Sequence, residues 1–428
     1  MEIMLETIFP GWIMRVSEED KNMLREQILS LLDLTKELAD EEVYAVVEQC
    51  VSSYVHNHCM TFAQRAGLEQ NLFHSLRKFD AIQELLEDID ITEIMVNGPQ
   101  HIFYEKRGTL YESETHFSSK QKLNDVIQQI AGGSNRMVNE ASPIVDARLL
   151  DGSRVNIVLE PVAIDGSAMS IRKFPDKPIL MDALVDMGSI SREGADFLQM
   201  LVRAGYNIFV SGGTGSGKTT FLNALSQYIP RGERIITIED SAELQLVDKP
   251  NLVRLETRNA NTEGVIPISI RDLIRTALRM RPERIIVGEC RGAEALDVLQ
   301  AMNTGHDGSL STGHANSCKD MLSRLETMVL MGMNLPLTAI RSQMASGIDI
   351  MVHMGRLRDK SRKVLSISEI EGLFEGEICL NEIFRFVESG ENRERVCGQL
   401  QKMGNLKHLE KCQRAGVDSA QSGGGNGL

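Results

Sequence analysis

Residues 212-GGTGSGKT-219 fit the pattern G-x-x-x-x-G-K-T, which carries meaning only where a strand runs into it and a helix leaves it. Both are in place. The apolar run 206-YNIFV-210 precedes the glycines, and 219-TTFLNALSQY-228 follows with helical character. Glycines let the backbone close on a ligand, and successive N–H groups at a helix N-terminus make a nest for an anion. Gly212, Gly213, Thr214, Gly215, Ser216 and Gly217 are therefore expected to wrap phosphates, with Thr220 completing the set. Lys218 would add positive charge toward the β- and γ-phosphates, and Thr219 would offer its hydroxyl to Mg²⁺. The expected ligand is ATP with Mg²⁺.

Such a loop binds a nucleotide but does not hydrolyse it alone, because hydrolysis also needs an acid near the metal and a group that positions water. Two apolar runs end in suitable carboxylates: 234-RIITIEDSAEL-244 delivers Glu239 and Asp240, and 284-RIIVGECRG-292 delivers Glu289. In an open parallel sheet, ligands gather beyond the carboxyl ends of the strands, so both acids are expected near the loop. Glu289 is the expected Mg²⁺ partner, directly or through water. Which of Glu239 and Glu289 orients the attacking water stays open. The bland reading is a solvated strand end for Glu289 and a helix cap for the Glu239–Asp240 pair.

Moving outward, YNIFVS, RIITIED, NLVRLET and RIIVGEC alternate with helical stretches between residues 192 and 390. That alternation predicts an α/β domain with a parallel sheet covered by helices on both faces. Within it, 304-TGHDGSLSTGHANS-317 places His306 and His314 eight residues apart. Local spacing alone does not choose between a metal site, turn histidines and a larger catalytic apparatus. Upstream, residues 79–174 carry short strand-like runs (ITEIMVNG, HIFYEKRGTLYE, RVNIVLEPV) and one helix, KLNDVIQQIAGG, ended by a glycine pair. This reads as an α+β domain. Residues 175–191 open with two prolines and read as a connector and hinge, centred on 175–186. Residues 1–78 read as helical, with Asp40 as the expected N-cap of a helix whose stripe includes Val43, Val47, Cys50 and Val51. Residues 391–428 form a C-terminal extension with a glycine-rich flexible tail.

The net charge of −14 argues against general nucleic-acid binding, which needs basic surface. Seven cysteines, an odd number without a C-x-x-C pair, suit a reducing cytoplasm and offer no cysteine zinc site. No apolar run approaches the roughly 18 residues of a membrane helix, and the N-terminus lacks the basic leader and apolar core of a signal peptide. Membrane association is thus expected only through partners.

With these residues in hand, the chain resembles the type II/IV secretion ATPase superfamily, and within it the CpaF-like ATPases of Flp/Tad pilus assembly. Four elements occur in family order: the phosphate loop, ITIEDSAEL, IIVGECRG, and the histidine box MNTGHDGSLSTGHANS. The resemblance implies a RecA-like ATPase domain preceded by an α+β, PAS-like domain that lies over the nucleotide cleft. It implies that His306 and His314 form the histidine-box pair, which helps sense or position the terminal phosphate. From ASPIVDARLLDGSRVN and DGSAMSIRKF it implies that Arg154 and Arg172, with Arg148 a lesser candidate, reach the γ-phosphate, often across a subunit boundary. It further implies a homo-hexameric ring, cytoplasmic and peripheral at the inner membrane, acting on an inner-membrane platform protein. The alternatives are a type II or type IV secretion ATPase and, in another class, a nucleotide-regulated scaffold without turnover. The absent four-cysteine module favours Flp/Tad over type II secretion. Three departures stand out: Cys290 replaces a valine, Asn139 replaces an acid, and a glycine-proline element is missing near FDAIQELLEDID.

Overall fold

The computed structural model describes residues 16–32, 39–58, 60–134, 136–174, 178–258, 266–390 and 395–417. The N-terminal stretch with Trp12, the connector's residues 175–177 and the tail from 418 lie outside them. The chain divides into two compact units, Met1–Pro175 and Asp176–Leu428.

The first unit begins with helices Glu18–Leu31, Asp40–Asn57 and Phe62–Arg77. They pack on Leu24, Ile28, Val47, Val51 and Leu72, the stripe that helical spacing selects. The second helix starts one residue earlier than its acids suggest. Ala39 is the N-cap, Asp40 lies in the first turn, and the Glu42 carboxylate accepts the Ala39 N–H at 3.0 Å. A negative first turn still suits the positive helix end.

Six strands follow: β1 (Ile91–Asn97), β2 (His101–Lys106), β3 (Thr109–Glu112), β4 (Ile144–Arg148), β5 (Arg154–Val158) and β6 (Ala168–Arg172). They form one sheet in the order β3-β2-β1-β6-β5-β4, antiparallel throughout. Helix Lys120–Gly133 covers a face of it with Leu123, Val126, Ile127 and Ile130. Asn139, the departure noted above, accepts the N–H groups of Ala141 and Ser142 on its Oδ1 at 3.0 and 2.9 Å, closing the turn before β4.

In the second unit the strands are β7 (Ile208–Gly212), β8 (Ile235–Glu239), β9 (Leu252–Glu256), β10 (Arg284–Cys290), β11 (Leu310–His314), β12 (Ile350–Arg356), β13 (Arg362–Phe374), β14 (Glu377–Glu388) and β15 (Gly398–Lys402). One nine-stranded sheet results, ordered β15-β14-β13-β12-β7-β11-β10-β8-β9. The parallel arrangement expected from sequence holds from β9 across to β12. Beyond β12 the sheet turns antiparallel, because β13 and β14 are reached through tight hairpins that leave no room for a crossover helix. Since β15 pairs with β14, the sheet also runs past residue 390, so part of the expected extension belongs to it.

Alternation along β7 sends Ile208 and Val210 into one core and Phe209 into the other. Cys290, the second departure, is buried in the Phe209 core. The connector is not an open loop throughout: Met181–Asp186 is helical, and Met181 and Leu184, three residues apart on one face, join the Ile208 core. No helix among the described residues is long and apolar enough to cross a membrane.

Candidate active site

Strand β7 is buried along its whole length and delivers the chain to the glycine loop. A Cβ on Gly212 would lie 2.5 Å from the Met354 carbonyl oxygen and 2.6 Å from Ser216 Oγ, so no side chain fits there. Gly215 and Gly217 take φ values of +70° and +91°, a region open to glycine at little cost. Helix Lys218–Ser226 then starts directly from Gly217. Ser216 Oγ donates to the Gly213 carbonyl at 2.8 Å. The buried Lys218 ammonium donates to the same carbonyl at 2.9 Å and to His314 Nδ1 at 3.3 Å. Gly213 and Thr214 form the exposed lip of the loop, while Thr219 and Thr220 are half-buried on the first helical turn.

His314 ends β11, in register with Gly212 of β7, and the next N–H, that of Ala315, donates to the Gly212 carbonyl at 3.3 Å. An ammonium can only donate, so His314 Nδ1 is the acceptor and its proton sits on Nε2. Burial draws the His314 pKa down, opposed by Glu289 and assisted by Lys218, which keeps the ring neutral. Its Nε2 lies 2.8 Å from Glu289 Oε1. The approach is out of line for a hydrogen bond, and that buried oxygen has no hydrogen-bond partner among the described residues. The other oxygen of Glu289 accepts from Arg291 Nη2 at 2.7 Å, and Arg291 Nη1 stands 3.6 Å from Asp240. Lys218, His314, Glu289 and Arg291 thus form one chain of contacts across the carboxyl ends of β11 and β10.

Glu239 ends β8 and is only 3% exposed. Its Oε1 accepts the N–H groups of Glu243 and Leu244 at 2.9 and 3.0 Å, while Oε2 has no partner among the described residues. Burial pushes its carboxyl up to about 7, outweighing the two N–H groups that favour the charged form. Gly288 makes room for it, since a Cβ there would stand 2.9 Å from Glu239 Cγ. Two carboxylate oxygens left without donors, one on Glu239 and one on Glu289, are the hard-oxygen donors that suit a bound divalent cation or an ordered water.

A cleft of about 340 Å³ opens beside the loop, lined by Gly213, Thr214, His314–Asn316, Asp320 and Arg324. A larger one of about 450 Å³ shares Asp320 and Arg324 and extends past Arg291, away from the loop. The smaller cleft is the one that meets the phosphate nest.

His306 is not part of this constellation. It sits in the turn before β11, with Nδ1 3.3 Å from the Ala301 carbonyl and 3.4 Å from Thr304 Oγ1. Strand β11 carries the chain about 13 Å, four steps of a strand, from Leu310 to His314. The histidine box is contiguous in sequence, but the sheet separates its ends, leaving His306 at the amino edge and His314 at the loop.

In the first unit, Arg148, Arg154 and Arg172 stand side by side in direct register across β4, β5 and β6, with Glu93 of β1 next in the row. Arg154 Nη2 lies 3.5 Å from Asp146, and Arg172 is exposed. Like charges placed directly opposite each other in a sheet repel, and Asp146 and Glu93 stand beside the row as acidic neighbours.

Four residues at the site escaped the sequence reading. Arg291 lay two positions from Glu289, a signal that was available. Arg324 projects from helix Cys318–Gly332 and lines the smaller cleft. His353 is buried on β12, with Nδ1 3.0 Å from Ser211 Oγ under the loop. Arg362, from β13, donates Nε to the Gly215 carbonyl at 2.9 Å. Neither His353 nor Arg362 carries a local signal, because only the sheet order brings β12 and β13 beside β7.

Comparison with known proteins identifies the family. The family described as Type II/IV secretion system protein matches residues 75–405. The type IV secretion system protein PtlH of Bordetella pertussis is 38% identical over 321 residues, covering 68% of this chain and 94% of PtlH. The type IV secretion system protein VirB11 of Brucella suis is 32% identical over 302 residues, 64% of this chain and 84% of VirB11. Among solved structures, the ATPase DotB of Legionella pneumophila shares the fold at a TM-score of 0.50 and 21% identity, covering 69% of this chain and 80% of that one. By the extent of the family match and the coverage of PtlH, this chain belongs to the type II/IV secretion system ATPase family.

Proposed function

We propose that the protein is an Mg²⁺-dependent ATPase motor that works as a homo-hexameric ring and drives a Flp/Tad-type pilus through an inner-membrane platform protein, in the manner of the CpaF-like branch. The observation that carries the ATPase reading is the contact chain from Lys218 through His314 to Glu289, with the glycine nest at its start. Lys218 releases its hold on Gly213 to meet the β- and γ-phosphates. Neutral His314 presents Nε2–H toward the terminal phosphate or the attacking water. Thr219 and Glu289 would hold Mg²⁺, which neutralises charge on the phosphates. Glu239, with an unpartnered oxygen and a pKa near neutrality, is suited to accept a proton from water. Arg154 and Arg172 would supply positive charge to the γ-phosphate from the first domain, which we read as the PAS-like lid of this family.

A second reading, a type IV secretion ATPase, is favoured by the similarity to PtlH and VirB11. The ATPase step itself is tested by steady-state phosphate release against protein concentration, with mass from light scattering on the same samples. Turnover that rises as a six-subunit species forms, and falls at least about a hundredfold in Lys218→Ala, supports the motor. ATP binding with no turnover in any assembled state would instead favour a nucleotide-regulated scaffold.

A further inference from the structure

We propose that Arg356 and Arg362, which flank the β12–β13 hairpin, hold the α-phosphate and the sugar–base end of the nucleotide. This rests on the ATP reading of the loop and assigns the half of the ligand that the loop motif leaves unassigned. Sheet order sets the direction in which the ligand runs. His314, Glu289 and Glu239 come from β11, β10 and β8, all on one side of β7, whereas β12 and β13 lie on its other side. A nucleotide whose terminal phosphate meets Lys218, His314 and Glu289 therefore extends its α-phosphate, sugar and base toward the hairpin.

The two side chains are already placed on the loop. Arg362 Nε donates to the Gly215 carbonyl at 2.9 Å, and its Cδ is 3.4 Å from where a Cβ of Gly217 would stand. Arg356 Nη1 is 3.7 Å from the corresponding point on Gly215. The two residues face each other in register as the hairpin's first cross-strand pair, where like charges are unfavourable unless something negative lies between them.

The hairpin's own carboxylate, Asp359, is turned to other partners, Ser361 and the Val396 N–H. Arg358, at the tip, is paired with Glu388. No carboxylate among the described residues pairs with Arg356 or Arg362. Arg362 has spent one of its five N–H groups and keeps a planar face. That fork matches a phosphate and its face stacks on a base.

Isothermal titration of the full chain with Mg-ATP and, separately, with Mg-pyrophosphate, which has two phosphates and no nucleoside, tests the assignment. The Arg356→Ala/Arg362→Ala double variant should bind ATP about 10- to 100-fold more weakly. Its pyrophosphate affinity should change by less than about threefold, which also shows that the loop still folds, and Arg362→Lys should recover part of the ATP affinity. Unchanged ATP affinity in the double variant would overturn the proposal. So would an equal loss for both probes, which would place the arginines on the β- and γ-phosphates or on loop shape. A wild type that binds no ATP would sink the nucleotide reading itself, a result distinct from either.

Discussion

Glu239 is the residue where physical chemistry says more than the motif does. A strand-end glutamate is expected to be charged, yet this one is buried with one oxygen unpartnered and is held near pH 7. Its folded pKa exceeds its ordinary value of 4.5, so the folded state keeps a proton that the unfolded chain loses. The stability this carboxyl contributes is full below about pH 4.5 and is lost as pH rises through about 7. A shift of that size corresponds to about 3 kcal/mol. Urea unfolding at intervals from pH 5 to pH 8 should show wild-type stability falling across that range, with a shallower fall in Glu239→Gln, whose amide stays neutral. Parallel slopes would remove Glu239 as the titrating group. Turnover should move the opposite way in the wild type, rising toward pH 8 as the carboxylate that accepts the water's proton becomes available.

The β11 strand and the turn before it show how one motif serves two ends of a sheet. Gly308 takes φ +80°, and a Cβ there would fall 1.5 Å from Arg284 Nη1, whose buried guanidinium pairs with Glu233 and donates to the Val202 carbonyl at 3.0 Å. Gly308→Ala should therefore cost about 3 kcal/mol or more by displacing a buried, paired charge, measurable as a lowered urea midpoint. His306→Ala should leave turnover within about twofold, because among the described residues its ring hydrogen-bonds with the Ala301 carbonyl and Thr304 alone. His314→Ala should lower kcat by about a hundredfold while ATP still binds. Equal effects of the two histidine substitutions would contradict this division.

The same element explains what was legible in the sequence. The glycine loop and the strand-end acids were readable because each motif includes the strand that positions it. The distance between His306 and His314 was not legible because sequence proximity does not reveal that a strand intervenes. His353 and Arg362 were invisible because their neighbours lie about 140 residues upstream, joined only by the pairing of β7 with β12 and of β12 with β13.

At the scale of the whole molecule, the question is whose arginines serve which loop. The second unit carries the glycine nest, the carboxylates and His314, while the row Arg148, Arg154 and Arg172 belongs to the first. If each site in a ring takes its γ-phosphate arginine from a neighbour, two defective chains complement each other. A subunit with Arg172→Ala keeps a working loop, and one with Lys218→Ala keeps a working arginine. In a ring assembled at random from equal parts, about a quarter of the sites join an intact loop to an intact neighbouring arginine, by the symmetry of head-to-tail contacts. The mixture should regain up to about that fraction of wild-type turnover when the sites act independently, although each variant alone is nearly silent. Subunit exchange before the assay is required, so the mixture is unfolded and refolded together and compared with the same variants mixed cold. Recovery only after co-assembly locates the arginine in trans. No recovery in a co-assembled hexamer, with Arg172→Ala alone inactive, places Arg172 in the same chain as the loop it serves and makes each subunit a self-sufficient catalytic unit.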